Sequence, residues 1–168
     1  MLAAAAREPV TLVLGLDASA ASMAKTSRRA ARQARKGGVP NAAFVVAAAE
    51  APPVELAGLA DLVTVRFPWG SLLRGVLGRD DAVAAGLARL VAERGALELL
   101  VAPIERDGLE GIPTSGEELV AAAAAAFVAH GFELELACEP SPAEVRASGS
   151  MWARRLDRRP TLIRLVRR

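Results

Sequence analysis

Short apolar, β-branched runs alternate with segments of helical pattern along most of this 168-residue chain. The runs predicted as strands are residues 10–16, 41–47, 61–66, 96–104, 132–139 and 161–166. Helical patterns cover residues 2–8, 22–36, 80–94 and 114–130. Such alternation is typical of helices layered on a mostly parallel sheet, so we predict an α/β fold. Residues 10–16 are almost continuously apolar, which predicts a strand buried on both faces.

The length fits one domain, and we expect residues 1–168 to form it, with a substantial hydrophobic core. The net charge is only +2, so the placement of charges matters more than their sum. The single cysteine, Cys138, excludes an intramolecular disulfide, and we expect it to be a small core residue. No apolar stretch is long enough for a membrane span or typical of a signal peptide, so we expect a soluble, cytoplasmic protein without a membrane partner.

A motif at the end of a predicted strand is the sharpest functional signal. Phe67-Pro68-Trp69-Gly70-Ser71-Leu72-Leu73-Arg74-Gly75 follows strand 61–66 and precedes a weakly helical run. Ligands of open α/β sheets collect outside the carboxyl ends of the strands. A Trp held there has a wide face that can stack on a planar group such as a purine. The alternative is a Trp that caps the core, and the motif alone leaves both interpretations open.

Asp17 ends the first predicted strand, and two interpretations apply to it as well. In nucleoside-binding sheets a carboxylate at a strand end accepts hydrogen bonds from ribose hydroxyls. An Asp in this position is equally an ordinary turn former.

Predicted helix 22–36, with Ser19 or Ser22 as its cap and Gly37-Gly38 as its stop, is strongly basic. Its basic residues at helical spacing are Arg28, Arg29, Arg32, Arg35 and Lys36. No acidic residue interrupts the chain between Asp17 and Glu50, so this charge is locally uncompensated. The cluster predicts a surface for the phosphate backbone of RNA, or else an ordinary solvated face.

Three stretches together carry a resemblance to a known family. They are the Trp69 motif, residues 41–50, and Ser150-Met151-Trp152-Ala153-Arg154-Arg155-Leu156. From about Val10 to the C-terminus the chain resembles the kanamycin–apramycin resistance methyltransferases, which modify N1 of an adenine in the decoding site of 16S ribosomal RNA. The resemblance implies a class I, Rossmann-like fold with a final antiparallel edge strand beside strand 132–139. It also implies methylation of N1 of adenine 1408 in the assembled small ribosomal subunit by a monomer, and aminoglycoside resistance.

The resemblance further implies a role for each matching residue. S-adenosylmethionine would be held by Asp17, Ala48, Ala49, Glu50, Trp69 and Ser71. Trp69 and Trp152 would sandwich the flipped adenine, with Ser150 beside it. RNA phosphates would be bound by the basic helix and by Arg154, Arg155, Arg158 and Arg159. Neither a metal ion nor a general base is implied, because adenine N1 already carries a free lone pair and the reaction mainly needs positioning.

One part of the family pattern has no counterpart in this sequence. The family opens with a strand and a G-x-G turn that hold the methionine end of the cofactor, whereas here Gly15 stands alone before Gly37. We therefore expect the first βα unit to be lacking, through an N-terminal truncation or a start placed too late, with a gap between strands 10–16 and 61–66. A small-molecule methyltransferase and an inactive RNA-binding fragment are the alternative functions.

Overall fold

Helices and strands alternate through the residues that the computed structural model describes, 1–104, 111, 113–148 and 159–168. The helices are α1 (Leu2–Arg7), α2 (Ala20–Ala30), α3 (Gly70–Val76), α4 (Asp81–Leu90), α5 (Gly116–Val128) and α6 (Pro142–Ala147). The strands are β1 (Val13–Asp17), β2 (Ala42–Val46), β3 (Ala60–Arg66), β4 (Val91–Val101), β5 (Phe132–Cys138) and β6 (Thr161–Arg167). No helix in these ranges is both long and apolar enough to cross a membrane.

The strands form two separate sheets. β1 and β2 pair in parallel, and the second sheet has the order β3-β4-β6-β5. β3 is parallel to β4, whereas β6 runs antiparallel to both of its neighbours. The predicted α/β fold, the antiparallel final strand and the break between β1 and β3 are thereby confirmed for the described residues. β6 lies between β4 and β5, so the prediction that it forms the edge is wrong, and β5 is the edge strand.

Helices α3, α4 and α5 cover one face of the four-stranded sheet. Leu73, Val83 and Phe127 of these helices belong to one buried cluster with strand residues such as Leu97 and Ile163. The rings of Phe127 and Phe132 meet edge to face with centroids 5.9 Å apart, which closes the core at the start of β5. This face is therefore the hydrophobic core of the molecule.

Helix α1 packs against β1 on the other side. The Asn41 side chain donates hydrogen bonds to the carbonyl oxygens of Ala5, Glu8 and Thr11, and so fixes the end of α1 to the start of β2. Arg7 of α1 lines a cavity of about 280 Å³ with Thr64 and other side chains that point away from the core. α1 therefore lies on the opposite face from α3, α4 and α5.

Two predicted helices end earlier in the structure, and one helix is not predicted from the sequence. α2 ends at Ala30, where the chain turns back and Val39 N–H donates to the Ala30 carbonyl, so residues 34–36 form a separate 3₁₀ turn. α4 ends at Leu90, and β4 begins at once, with Arg94 at φ +61° within the strand. α6 lies in a stretch for which no helix is predicted, although the capping box of Ser141 and Glu144 is readable in the sequence.

Two expectations about burial are wrong. Val10 is 98% exposed because it lies in the turn before β1. Leu14 is 40% exposed within β1, which pairs with one strand among the described residues. Cys138 is exposed because it ends the edge strand β5. Burial depends on where a residue lies relative to its sheet, and an apolar run in the sequence does not predict that position.

Candidate active site at the carboxyl ends of the strands

The ends of β1 and β2 bring together residues that are far apart in the sequence. Asp17 pairs with Val46 in the ladder, and the Ala47 N–H donates to the Asp17 carbonyl over 3.1 Å. Asp17 therefore lies directly beside the loop that continues into residues 48–50. In the other sheet, β3 ends at Arg66, and the turn that carries Trp69 begins at the next residue. Each group of predicted cofactor residues therefore follows the carboxyl end of a strand.

Asp17 forms a turn and retains acceptor capacity. Its Oδ1 accepts the Ser19 N–H at 2.7 Å, and the Ser19 side chain caps α2 by accepting the Ser22 N–H. Ser19 is therefore the cap, and the turn-forming interpretation of Asp17 is confirmed. A carboxylate has about four lone-pair sites, so one turn bond leaves sites for ribose hydroxyls. The two interpretations of Asp17 are compatible.

The loop after β2 is held by a glycine that sequence reasoning missed. Ala48 and Ala49 are half-buried and Glu50 is exposed. A Cβ at Gly86 of α4 would collide with the Ala49 carbonyl oxygen. The available signal was the glycine itself, because glycine inside a helix costs about 1 kcal/mol relative to alanine. Gly86 permits α4 to pack directly under the predicted adenosine loop.

Trp69 projects from a turn with an unusual backbone. Its side chain is 78% exposed, which excludes the core-capping alternative. Phe67 has φ +48° and Gly70 has φ +59°, so left-handed residues lie on both sides of Pro68-Trp69. A non-glycine residue in this region costs on the order of 1–3 kcal/mol and is found mainly where the surroundings enforce it. The Phe67 N–H donates to the Leu100 carbonyl at 2.7 Å, which fixes the turn to β4.

Ser71 lies in the first turn of α3, two residues beyond Trp69, and is exposed. Trp69 itself is the N-cap residue of α3. The start of α3 therefore places both predicted ligands at the carboxyl edge of the sheet.

The basic cluster is exposed but does not form one helical face. Arg28 and Arg29 end α2, whereas Arg35 and Lys36 belong to the following 3₁₀ turn. Within the described ranges, none of the five basic residues makes an ion pair. α2 runs away from Asp17 for 11 residues, about 16 Å at its usual rise, so the cluster lies at the far end of the helix from the strand-end site.

The sequence model of the family described as NpmA, 16S rRNA (adenine(1408)-N(1))-methyltransferase, matches residues 1–166. The chain belongs to this methyltransferase family. An rRNA methyltransferase of Saccharopolyspora hirsuta is 39% identical over 143 residues, which cover 80% of this chain and 88% of that protein.

Solved structures of the family have the same fold as this chain. A mutant of the 16S rRNA (adenine(1408)-N(1))-methyltransferase from Catenulisporales acidiphilia, crystallised with its cosubstrate SAM, superimposes with a TM-score of 0.85 at 31% identity. The match covers 99% of this chain and 79% of that chain. The aminoglycoside resistance methyltransferase NpmB1 gives a TM-score of 0.78 at 36% identity, over 99% of this chain and 81% of the other.

For a member of the 16S rRNA methyltransferase family, the site fits the adenosine half of S-adenosylmethionine. Asp17 supplies a carboxylate acceptor, and Ala48 and Ala49 have no side chains that would keep a planar base away from the backbone. No glycine-rich turn for the methionine half is found among the described strand ends. The cofactor roles of these residues remain predictions.

Several residues implied by the family resemblance have no structural description here. Ser150, Trp152, Arg154, Arg155 and Arg158 lie outside the described residues. Arg159 is described, and its Nη1 lies 3.0 Å from Glu139 Oε2 in an exposed ion pair. Exposed ion pairs contribute little free energy to stability. Arg159 can therefore exchange Glu139 for an RNA phosphate.

Proposed function

We propose that this methyltransferase transfers the methyl group of S-adenosylmethionine to N1 of adenine 1408 of 16S rRNA in the small ribosomal subunit, and so gives resistance to aminoglycosides. The match of the family over residues 1–166 carries the proposal. The exposed Trp69 at the carboxyl edge is the structural feature that suits it best. Residues 1–168 act as a single methyltransferase domain and as a monomer.

The reaction requires the protein to align the methyl donor with adenine N1, more than to transfer a proton. When bound, S-adenosylmethionine supplies a methyl group on a sulfonium cation, and adenine N1 is a neutral nitrogen with a free lone pair. No general base is therefore required. Asp17 and the loop of Ala48, Ala49 and Glu50 would orient the adenosine half, with Ser71 beside it.

The target adenine must leave its stack in the RNA to reach this edge. Stacking on an aromatic side chain contributes about 1–3 kcal/mol per base and offsets part of the cost of extraction. Trp69 would supply one face, Trp152 the other, and Ser150 a polar neighbour. Arg28, Arg29, Arg32, Arg35, Lys36, Arg154, Arg155, Arg158 and Arg159 would bind the phosphates of the folded RNA.

The test is incorporation of labelled methyl groups into purified small subunits, followed by mapping of the modified base. We expect label at N1 of adenine 1408, with much less in protein-free 16S rRNA, because the folded subunit presents the phosphates. Label at another base would contradict the proposal, as would methylation of small aromatic amines with none in the subunit. The second of these outcomes would support the small-molecule alternative.

The split sheet favours a second candidate function, RNA binding without methyl transfer. A chain with only the adenosine half of the cofactor site would still bind small subunits through its basic residues. The affinity would then fall steeply with salt, since phosphate contacts release counterions. Salt-dependent binding without incorporated methyl would support this candidate, and changing Arg28, Arg29 and Arg32 to Ala should reduce the salt slope.

A further inference from the structure

Helix α4 makes two contacts that are too close for a side chain on the glycine of each. A Cβ at Gly75 of α3 would collide with the Val83 side chain of α4. A Cβ at Gly86 of α4 would collide with the Ala49 carbonyl oxygen, in the predicted adenosine loop. Val83 and Gly86 are three residues apart in α4, so they are neighbours on the surface of that helix. One region of α4 therefore contacts both α3 and the adenosine loop.

Helix α3 carries the Trp69 turn with it. Trp69 is the N-cap residue of α3, and its carbonyl accepts the Leu73 N–H at 3.4 Å. Leu73 and Val76 are buried in the same cluster as Val83 of α4. Because close-packed interiors transmit strain, a shift of α3 against α4 would also move Trp69.

The adenosine loop contacts the same core. Ala49 is half-buried and packs against the cluster that contains Val83. The Ala51 N–H donates to the Ala48 carbonyl at 3.2 Å, so the loop is a tight turn. Since this turn meets α4 through its backbone, its position depends directly on the surface of that helix.

Helix α4 is itself fixed at both ends. At its start, Asp81 Oδ1 lies 3.0 Å from Nε2 of His130, just after α5. At its end, Arg167 of β6 donates to the carbonyl oxygens of Ala88 and Val91 at 3.1 and 2.6 Å. A guanidinium there satisfies carbonyl groups that the helix leaves unpaired and matches the negative end of the helix dipole. α4 is thus a fixed support for α3 and for the loop.

We propose that α4 sets the distance between the methyl donor and the target base, through the contacts Gly75–Val83 and Gly86–Ala49. The inference rests on the proposed function, in which the loop holds the adenosine half of the cofactor and Trp69 stacks on the adenine. A misplacement of about 1 Å can lower a reaction rate roughly a hundredfold. Gly75, Val83 and Gly86 are therefore positioning residues, which act through α3 and through the loop.

The distance between the loop and α3 is measurable on the full 168-residue chain. Spin labels are attached at Glu50→Cys and Ser71→Cys, with Cys138→Ser to remove the native thiol, and pulsed electron–electron double resonance gives the distance between the labels. Both labelled positions are exposed, so the labels do not disturb the core. We expect Gly75→Ala to change the mean distance by about 1–2 Å, the size of an ordinary helix shift.

A compensating change separates this contact from general destabilisation. Val83→Gly removes the three atoms nearest to the Cβ added by Gly75→Ala, so the two changes together should restore the parent distance. Gly86→Ala should change the distance through the loop instead, and it tests the proposal by itself if Gly75→Ala does not fold. Val83→Gly should not reverse the effect of Gly86→Ala.

The matched control is a core change away from both contacts. Phe132, at the start of β5, is buried against Phe127. Phe132→Leu should lower the melting temperature, as the glycine variants do, and leave the distance between the labels unchanged.

An unchanged distance in a folded Gly75→Ala or Gly86→Ala protein would overturn the proposal, because the glycines would then serve packing alone. A change of equal size in Phe132→Leu would overturn it too, as would a change in Gly75→Ala that Val83→Gly fails to reverse. The measurement uses neither cofactor nor RNA. Its failure is therefore distinguishable from a failure of the proposed function, which the methylation assay alone decides.

Discussion

Trp69 is the residue at which stability and function separate most clearly. Because its side chain is 78% exposed, Trp69→Ala should leave the melting temperature within about 2 °C. If the indole stacks on the target base, the same change should lower methyl transfer roughly ten- to hundredfold, since stacking contributes about 1–3 kcal/mol. Trp69→Phe should cost less. Both quantities are measured on the same preparations of a chain with a strand–helix unit joined ahead of Met1. A fall in melting temperature with unchanged activity per folded molecule would remove Trp69 from the site.

Gly86 offers a second test at the same scale. Gly86→Ala should improve helix propensity by about 1 kcal/mol, but its Cβ would collide with the Ala49 carbonyl oxygen. We expect the collision to dominate, with a net destabilisation of about 1–3 kcal/mol in chemical unfolding. The neighbouring change Ala85→Gly measures the propensity effect without the collision. A Gly86→Ala protein as stable as the parent would mean that the loop moves freely.

The roles of individual residues could be predicted from the sequence where they depend only on neighbouring residues. Asp17, Ser19 and the Trp69 turn are predicted because strand ends, helix caps and turns with Pro and Gly each involve only a few neighbouring residues. The contact of Gly86 with Ala49 joins residues that are distant in the chain. No spacing rule predicts it, although glycine in a helix marks the position.

Among the helices and strands, α6 is the one whose stability we expect to depend most clearly on pH. The Ser141 N–H donates to the Glu144 carboxylate at 2.7 Å, and the Ser141 hydroxyl accepts the Glu144 N–H. Hydrogen bonding with the Ser141 side chain, and then with its N–H, lowers the pKa of the Glu144 carboxyl from its usual value of 4.5. A depressed carboxyl pKa stabilises the folded state at and above pH 4.5, and this contribution is lost as the pH falls through the folded-state pKa. We therefore expect the amides of α6 to lose exchange protection on acidification below pH 4.5, before the core strands do. Glu144→Gln should remove the pH dependence, whereas Ser141→Ala should only reduce it, because the Ser141 N–H remains a donor. A profile without pH dependence in the parent protein would contradict the role of the capping box.

The strands show why an apolar pattern predicts the position of a strand better than it predicts whether that strand is buried. Residues 10–16 have the composition of a central strand, and the structure does contain β1 there. Val10 is nevertheless exposed in the turn before the strand, and Leu14 is exposed within it, because burial depends on what lies beside a strand. The final strand was likewise predicted with the correct direction, whereas its position between β4 and β5 depends on pairing across long separations.

For the whole molecule, the split sheet leads to a prediction about the cofactor. Asp17 and the Ala48–Ala49 loop suit only the adenosine half, so the 168-residue chain should bind S-adenosylmethionine more weakly than about 100 μM in calorimetry. Joining a strand–helix unit ahead of Met1 should tighten binding at least tenfold. Adenosine serves as the control ligand, because its affinity should change much less. Micromolar affinity for S-adenosylmethionine in the unmodified chain would contradict this prediction.

The divided sheet also bears on how long the molecule survives in a cell. Hydrogen bonds between strands normally make a sheet open as one cooperative unit, but none joins β1 and β2 to the other four strands in the described residues. The β1–α2–β2 segment is attached through α1, the Gly86 contact and chain connectivity, so it can open at a smaller free energy than the core around Phe127. Cellular proteases cleave the opened fraction of a population, at a rate set by that smaller free energy. We therefore expect the two-stranded sheet to set the turnover of this protein, and the well-packed core to have little influence on it.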